Sequence, residues 1–159
     1  MKRLILFISL VGLCSCNSNA QKSNAKTYKV SKTELEWKAQ LSDISYSVLR
    51  KAATETPFSS VLNNNHDSGT YVCAGCKTPV FESDHKYDSG SGWPSFDREI
   101  KGNVEFSVDY KLGYGRSEEH CATCGGHLGH VFDDGPSETT GNRHCINGAA
   151  LIFIPKKDE

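Results

Sequence analysis

Two C-x-x-C pairs, Cys73-Ala74-Gly75-Cys76 and Cys121-Ala122-Thr123-Cys124, constrain this chain more than any other feature. Two residues between cysteines let both sulfurs turn toward one point. Two such knuckles supply four thiolates, which suits tetrahedral Zn2+ at about 2.3 Å per Zn–S bond. Soft sulfur donors favour zinc or iron over harder ions, and no cluster-type spacing points to iron–sulfur. Forty-four residues separate Cys76 from Cys121, long for a compact zinc ribbon. Strands must therefore cross between the knuckles, and the metal pins distant segments and feeds into folding. Two other readings stay open on these residues alone. A compartment outside the cytoplasm would permit two structural disulfides. A thioredoxin-like redox pair needs only one C-x-x-C, and its βαβ context is absent.

The start of the chain reads as a targeting segment, set aside before the fold is considered. Lys2 and Arg3 precede a ten-residue apolar run, Leu4 to Leu13, against the roughly 20 residues a membrane span needs. Leu13-Cys14-Ser15-Cys16 then has the form of a bacterial lipobox, with cleavage before Cys16 and lipid on that residue. An ordinary secretory peptide is the competing reading. Cleavage leaves residues 16–30 as lipidated Cys16 and its tether, and 31–159 as one domain. Asn17 to Lys26 is polar and reads as flexible, with order starting over Thr27–Val30. Acyl chains would then hold the protein on a membrane of the bacterial cell envelope, on the periplasmic side, rather than release it. The formal net charge is -1, so no basic field argues for nucleic acid. With no heptad or second domain, a monomer is the default.

Within the domain, Thr33-Glu34-Leu35-Glu36 fits a capping box, with Leu35, Trp37 or Ala39, and Leu41 as the apolar positions. Ser42 offers a second cap before Ile44, Val48 and Leu49, and Pro57 ends the region. From Thr70 onward the pattern is strand and turn. Strands are predicted at Thr70–Cys73, Val104–Leu112, Ser117–Cys121, Gly129–Phe132, Arg143–Ile146 and Ala149–Ile154. The fold class is mainly β and antiparallel, with a small helical N-terminal lobe and a four-cysteine zinc site.

Setting aside Cys16 and the knuckles leaves one thiol in the mature chain, Cys145. A lone strand cysteine is usually buried filler, but Arg143-His144-Cys145-Ile146-Asn147 surrounds this one with polar groups. A nearby cation favours thiolate, the nucleophilic form. Strand alternation puts Arg143, Cys145 and Asn147 on one face. His127-Leu128-Gly129-His130 offers two imidazoles that can exchange protons near neutral pH. Trp93, in Gly90-Ser91-Gly92-Trp93-Pro94-Ser95-Phe96, is either a core side chain or the wall of a small apolar pocket.

The segments Lys86–Phe96, His127–Pro136 and Arg143–Asn147, with both C-x-x-C pairs, resemble the zinc-bearing methionine-R-sulfoxide reductases over about Leu35 to Ile154. The resemblance implies two antiparallel sheets and a zinc site remote from the catalytic face. It implies Cys145 as the nucleophile toward the sulfoxide sulfur, and His130 with His127 as proton donors to its oxygen. Trp93 and Phe132 would wall the methyl pocket, while Asp134, Arg143 and Asn147 would orient these groups. The implied substrates are proteins carrying methionine sulfoxide. One departure matters: many members of the family carry a recycling cysteine where this chain has Ser91. Cys145 is therefore expected to be its only redox-active thiol, regenerated by an external thioredoxin-like protein or small thiol. The competing class is a zinc-binding interaction module without catalysis. Cys145, His127, His130 and Trp93 together argue against it.

Overall fold

The computed structural model describes residues 26–157. The leader, Cys16 and the tether up to residue 25 lie outside the described residues. The ordered body starts before residue 31: the Val30 N–H donates to the Thr123 carbonyl at 3.0 Å, and its side chain packs on the core.

Two short helices open the domain. Helix α1, Glu34–Gln40, has the full capping box, with the Thr33 side chain on the Glu36 N–H and the Glu36 carboxylate on the Thr33 N–H. Helix α2, Asp43–Lys51, is capped by Ser42. Trp37, Val48 and Leu49 are the buried residues of the pair, whereas Leu35 is 81% exposed. The expected stripe through Leu35 is wrong because α1 turns Trp37 inward, against the first knuckle at Gly75. Nor does Pro57 end the helical region. Helix α2 stops at Ala52, which is left-handed (φ 49°) and whose N–H caps the Ser47 carbonyl.

Among the described residues, nine strands form two antiparallel sheets. The smaller has the order β2-β1-β9, from β1 (Gly69–Cys73), β2 (Pro79–Glu82) and β9 (Leu151–Pro155). The larger has the order β3-β4-β8-β7-β6-β5. Its members are β3 (Lys86–Tyr87), β4 (Ser95–Phe96), β5 (Val104–Asp109), β6 (Arg116–Cys121), β7 (His127–Phe132) and β8 (Arg143–Ile146). Tyr71 and Phe81 of the small sheet meet Phe96 of the large one, Phe81 stacked at 4.4 Å between ring centroids and Tyr71 edge-on at 5.0 Å. These rings, with Val80, Leu128 and Ile146, form the core.

Two predicted strands are shorter than expected. Strand β5 ends at Asp109 rather than Leu112, because the Asp109 carboxylate accepts the Lys111 N–H (2.8 Å) and turns the chain. Strand β9 begins at Leu151, after a 3-10 turn over Gly148–Ala150. Strands β2, β3 and β4 were not predicted. No helix among the described residues is long and apolar enough to cross a membrane.

Candidate active site and metal centre

The two knuckles fold alike. In the first, the Lys77 N–H donates to the Cys73 carbonyl and the Cys73 N–H to the Thr78 carbonyl. In the second, Gly125 donates to Cys121 and Cys121 to Gly126. Both turn on a left-handed residue, Lys77 (φ 64°) and Gly125 (φ 69°). The first extends β1 of the small sheet and the second follows β6 of the large one, so the cluster joins the sheets. All four sulfurs lie within 4.8 Å of one another. The closest pairs between knuckles are Cys76–Cys121 at 3.5 Å and Cys73–Cys124 at 3.7 Å. A tetrahedral four-thiolate site with the usual bond length has edges of about 3.8 Å. The donor set and its spacing therefore fit a metal ion. Hydrogen bonds among the sulfurs push the Cys73 and Cys124 thiols up and draw Cys76 and Cys121 down, Cys121 to about 7. A cation shared among the four sulfurs would resolve that competition.

The second constellation lies along one row of the large sheet. Tyr87 of β3 pairs with Ser95 of β4, Ser95 with Cys145 of β8, Cys145 with His130 of β7, and His130 with Glu118 of β6. Paired residues share a face, so sheet register assembles residues scattered over the sequence. Strands β7 and β8 approach closely at Gly129, where a Cβ would sit 2.0 Å from the Cys145 carbonyl oxygen. Beside this row is a cavity of about 120 Å³ lined by Thr54, Trp93, Arg116, Gly129, His130, Phe132, Cys145 and Asn147.

Five of the expected site residues thus share one pocket: Cys145, His130, Trp93, Phe132 and Asn147. Three stand behind it. Arg143 lays its guanidinium on the Phe132 ring, 4.5 Å from the centroid, and grips Asp134 with two bonds of 2.8 and 2.9 Å. Asp134 itself faces solvent. His127 stands edge-on to His130 at 5.4 Å, its Nδ1 2.7 Å from Glu118.

Several residues that sequence reasoning did not single out organise the pocket. Asp109 Oδ2 lies 3.0 Å from His130 Nε2 and accepts a 2.6 Å bond from Arg116. The Lys111 N–H, and then His130 and Arg116, hold the Asp109 carboxyl well below the usual range. An ionised Asp109 can only accept, so His130 carries its proton on Nε2. Burial lowers both His130 and His127 from the ordinary imidazole value, their carboxylate partners opposing only in part. Burial pushes the Cys145 thiol up, against Ser91 and Arg143, which favour the thiolate.

Glu55 is the other omission. Its buried carboxylate accepts the N–H groups of Gly148 (2.5 Å) and Ala149 (2.8 Å). Its own N–H donates to Asn147 Oδ1 at 2.9 Å, and its carbonyl accepts the Trp93 indole N–H at 3.1 Å. One residue therefore holds two pocket walls. Alternation along β6 from Arg116 to Glu118 could have signalled those two residues. Nothing local distinguishes Glu55.

Comparison with known proteins gives one consistent result. The SelR domain matches residues 41–155. A peptide methionine sulfoxide reductase MsrB of Bradyrhizobium diazoefficiens is 54% identical over 129 residues, 80% of this chain and 92% of that protein. The same-named proteins of Leptospira interrogans and Herminiimonas arsenicoxydans are each 50% identical, over 79% and 83% of this chain and 96% of their own lengths.

Proposed function

The chain belongs to the peptide-methionine (R)-S-oxide reductase family, and on that premise we propose that it reduces the R epimer of methionine sulfoxide in proteins, with Cys145 as nucleophile and an external thiol as reductant. The observation that carries the reading is the shared pocket. Cys145, His130 and the apolar rings of Trp93 and Phe132 line one cavity. Its volume, about 120 Å³, suits the methyl sulfoxide end of a side chain.

The Cys145 thiolate attacks the sulfoxide sulfur. A sulfoxide oxygen leaves that sulfur only with a proton, so an acid must face it. His130 serves: Asp109 holds its Nε2 proton, and its Nδ1 takes up a proton from solvent and passes it to the sulfoxide oxygen. Oxygen passes to the Cys145 sulfur, which becomes sulfenic acid as it supplies the two electrons that convert sulfoxide to thioether. An external thiol then condenses with the sulfenic acid, releasing water and leaving a mixed disulfide. A second thiol displaces Cys145 as thiol. Methyl group, lone pair and oxygen need three different surroundings, which the rings and His130 supply; this supports selection of one epimer.

We assign Zn2+ to Cys73, Cys76, Cys121 and Cys124, on the softness, number and spacing of the donors. The ion would hold the two sheets together and take no part in the reaction. The envelope location rests on the sequence alone: Cys16 is the lipid acceptor, and the protein works as an anchored monomer. The intact mass of the mature protein from a bacterial host, with an acylated N-terminal Cys16 expected, tests that anchor. The activity is tested with the separate R and S epimers of a protected methionine sulfoxide, using dithiothreitol as reductant. Turnover of R alone, lost in Cys145→Ser, is expected. Folded, metal-loaded protein that reduces neither epimer would be a binding module instead.

A further inference from the structure

The chain on either side of Trp93 carries a row of hydroxyls, running up to the Cys145 sulfur, that the reaction above leaves unused. Ser91 Oγ lies 3.9 Å from Cys145 Sγ, Ser89 Oγ 2.8 Å from Ser91 Oγ, and Ser95 Oγ 2.7 Å from Ser89 Oγ. The row ends at the Trp93 carbonyl, 3.1 Å from Ser95 Oγ. Ser95 is buried and paired with Cys145 in the sheet, so the row is anchored at that end.

Each hydroxyl has a single proton to donate, and a carbonyl has none. The row therefore has two fully bonded orders. In one, Ser95 donates to the Trp93 carbonyl, Ser89 to Ser95, and Ser91 to Ser89. Ser91 then presents a lone pair to sulfur, which suits a Cys145 S–H. In the other, Ser91 donates to sulfur, Ser89 to Ser91, and Ser95 to Ser89, which suits a thiolate. Passing between them moves no proton out of the row. Only the Cys145 proton leaves, to solvent. The neutral bond at the Trp93 carbonyl is exchanged for a charge-assisted bond to sulfur, which is roughly twice as strong.

We propose that Ser91, Ser89 and Ser95 form a reversing hydroxyl relay that stabilises the Cys145 thiolate. Ser91 touches the reacting sulfur, and Ser89 and Ser95 are positioning residues behind it. This rests on the reading of Cys145 as nucleophile. It gives Ser91 a duty that a second thiol would not share, as a neutral donor in an enzyme recycled from outside. The charged and titratable groups around the sulfur come from every side. Arg143 lies on its own strand, Tyr87 on β3, His130 on β7 and Arg116 on β6, and Glu119 of β6 acts from behind the sheet. Arg143 is already engaged by Asp134.

The test is alkylation of Cys145 by iodoacetamide as a function of pH, resolved at that residue by mass spectrometry on the purified metal-loaded protein. Ser91→Ala should raise the pH midpoint by about one unit, a tenfold loss of thiolate at neutral pH. Ser89→Ala, which does not touch sulfur, should raise it by about half a unit, and Ser89→Thr should restore it. The pH profile of sulfoxide turnover should move the same way. A wild-type midpoint in folded Ser89→Ala overturns the relay. If Ser89→Ala does not fold, Ser91→Ala against Ser91→Thr decides, and equal midpoints overturn it. Turnover surviving in Cys145→Ser would sink the catalytic reading separately, because the midpoint is measured without substrate.

Discussion

The four knuckle sulfurs and the Cys145 sulfur are the same atom type in one small domain, and on the function proposed above they serve opposite uses. The knuckle sulfurs face each other at 3.5–3.7 Å. Cys145 faces a hydroxyl, with a guanidinium and an imidazole nearby. Sulfurs that face sulfurs repel as thiolates and must share a dication. A sulfur that faces neutral donors and a cation can be a thiolate alone, free to attack. The contrast teaches that neighbours, rather than burial, sort cysteines into ligands and nucleophiles: Cys121 is buried, but Cys145 is also largely enclosed.

The largest effect should come from Cys145→Ser. Turnover should fall to background, at least about 10³-fold, while metal content and melting stay at wild-type values. Cys121→Ser should do the reverse: bound metal drops, measured by atomic absorption, and the melting temperature falls sharply, since one missing thiolate opens the shell. A Cys121→Ser protein with full metal and normal melting would break the contrast. Asp109→Asn keeps shape but weakens the hold on His130 and Arg116. It should cost about 10- to 100-fold in kcat/KM with little loss of metal. Ser91→Cys brings a second sulfur within reach of the first. After one turnover without reductant, it should give an internal disulfide, seen as the loss of two free thiols in a titration.

The smallest effect is thermal. Burial holds His130 and His127 below the ordinary imidazole value. The unfolded chain thus takes up protons first as pH falls through about 6.5. The stability from these neutral imidazoles is present above that pH and lost below it. Melting should drop by about 2–4 °C per kcal/mol lost. A melting temperature that rises on acidification would reverse the sign.

The sequence made the two sulfur sites legible to different depths. Both knuckles were readable because the ligands sit two residues apart, and local chain geometry turns them together. The helix caps at Thr33 and Ser42 were readable for the same local reason. Strands β3 and β4 have two residues each, too few for alternation to register, and β2 opens with Pro79. Yet β3 and β4 carry Tyr87 and Ser95 into the row beside Cys145. Asp109 ends a strand that the alternation ran past, and its meeting with His130 depends on register across β5, β6 and β7. Glu55 reaches residues 92 to 94 positions away. Contacts that long leave no local pattern.

Glu55 also has a dynamic consequence. Trp93 hangs from its carbonyl, Asn147 from its N–H, and the turn after β8 from its carboxylate. Two segments tied to one residue lose their independent fluctuations, so the ring wall and the end of the thiol's strand should exchange between conformers as a single unit. Relaxation dispersion on the microsecond–millisecond scale would then report one shared rate for the Trp93 indole and the Gly148 amide, splitting into two in Glu55→Gln, which removes the carboxylate that holds the Gly148 N–H.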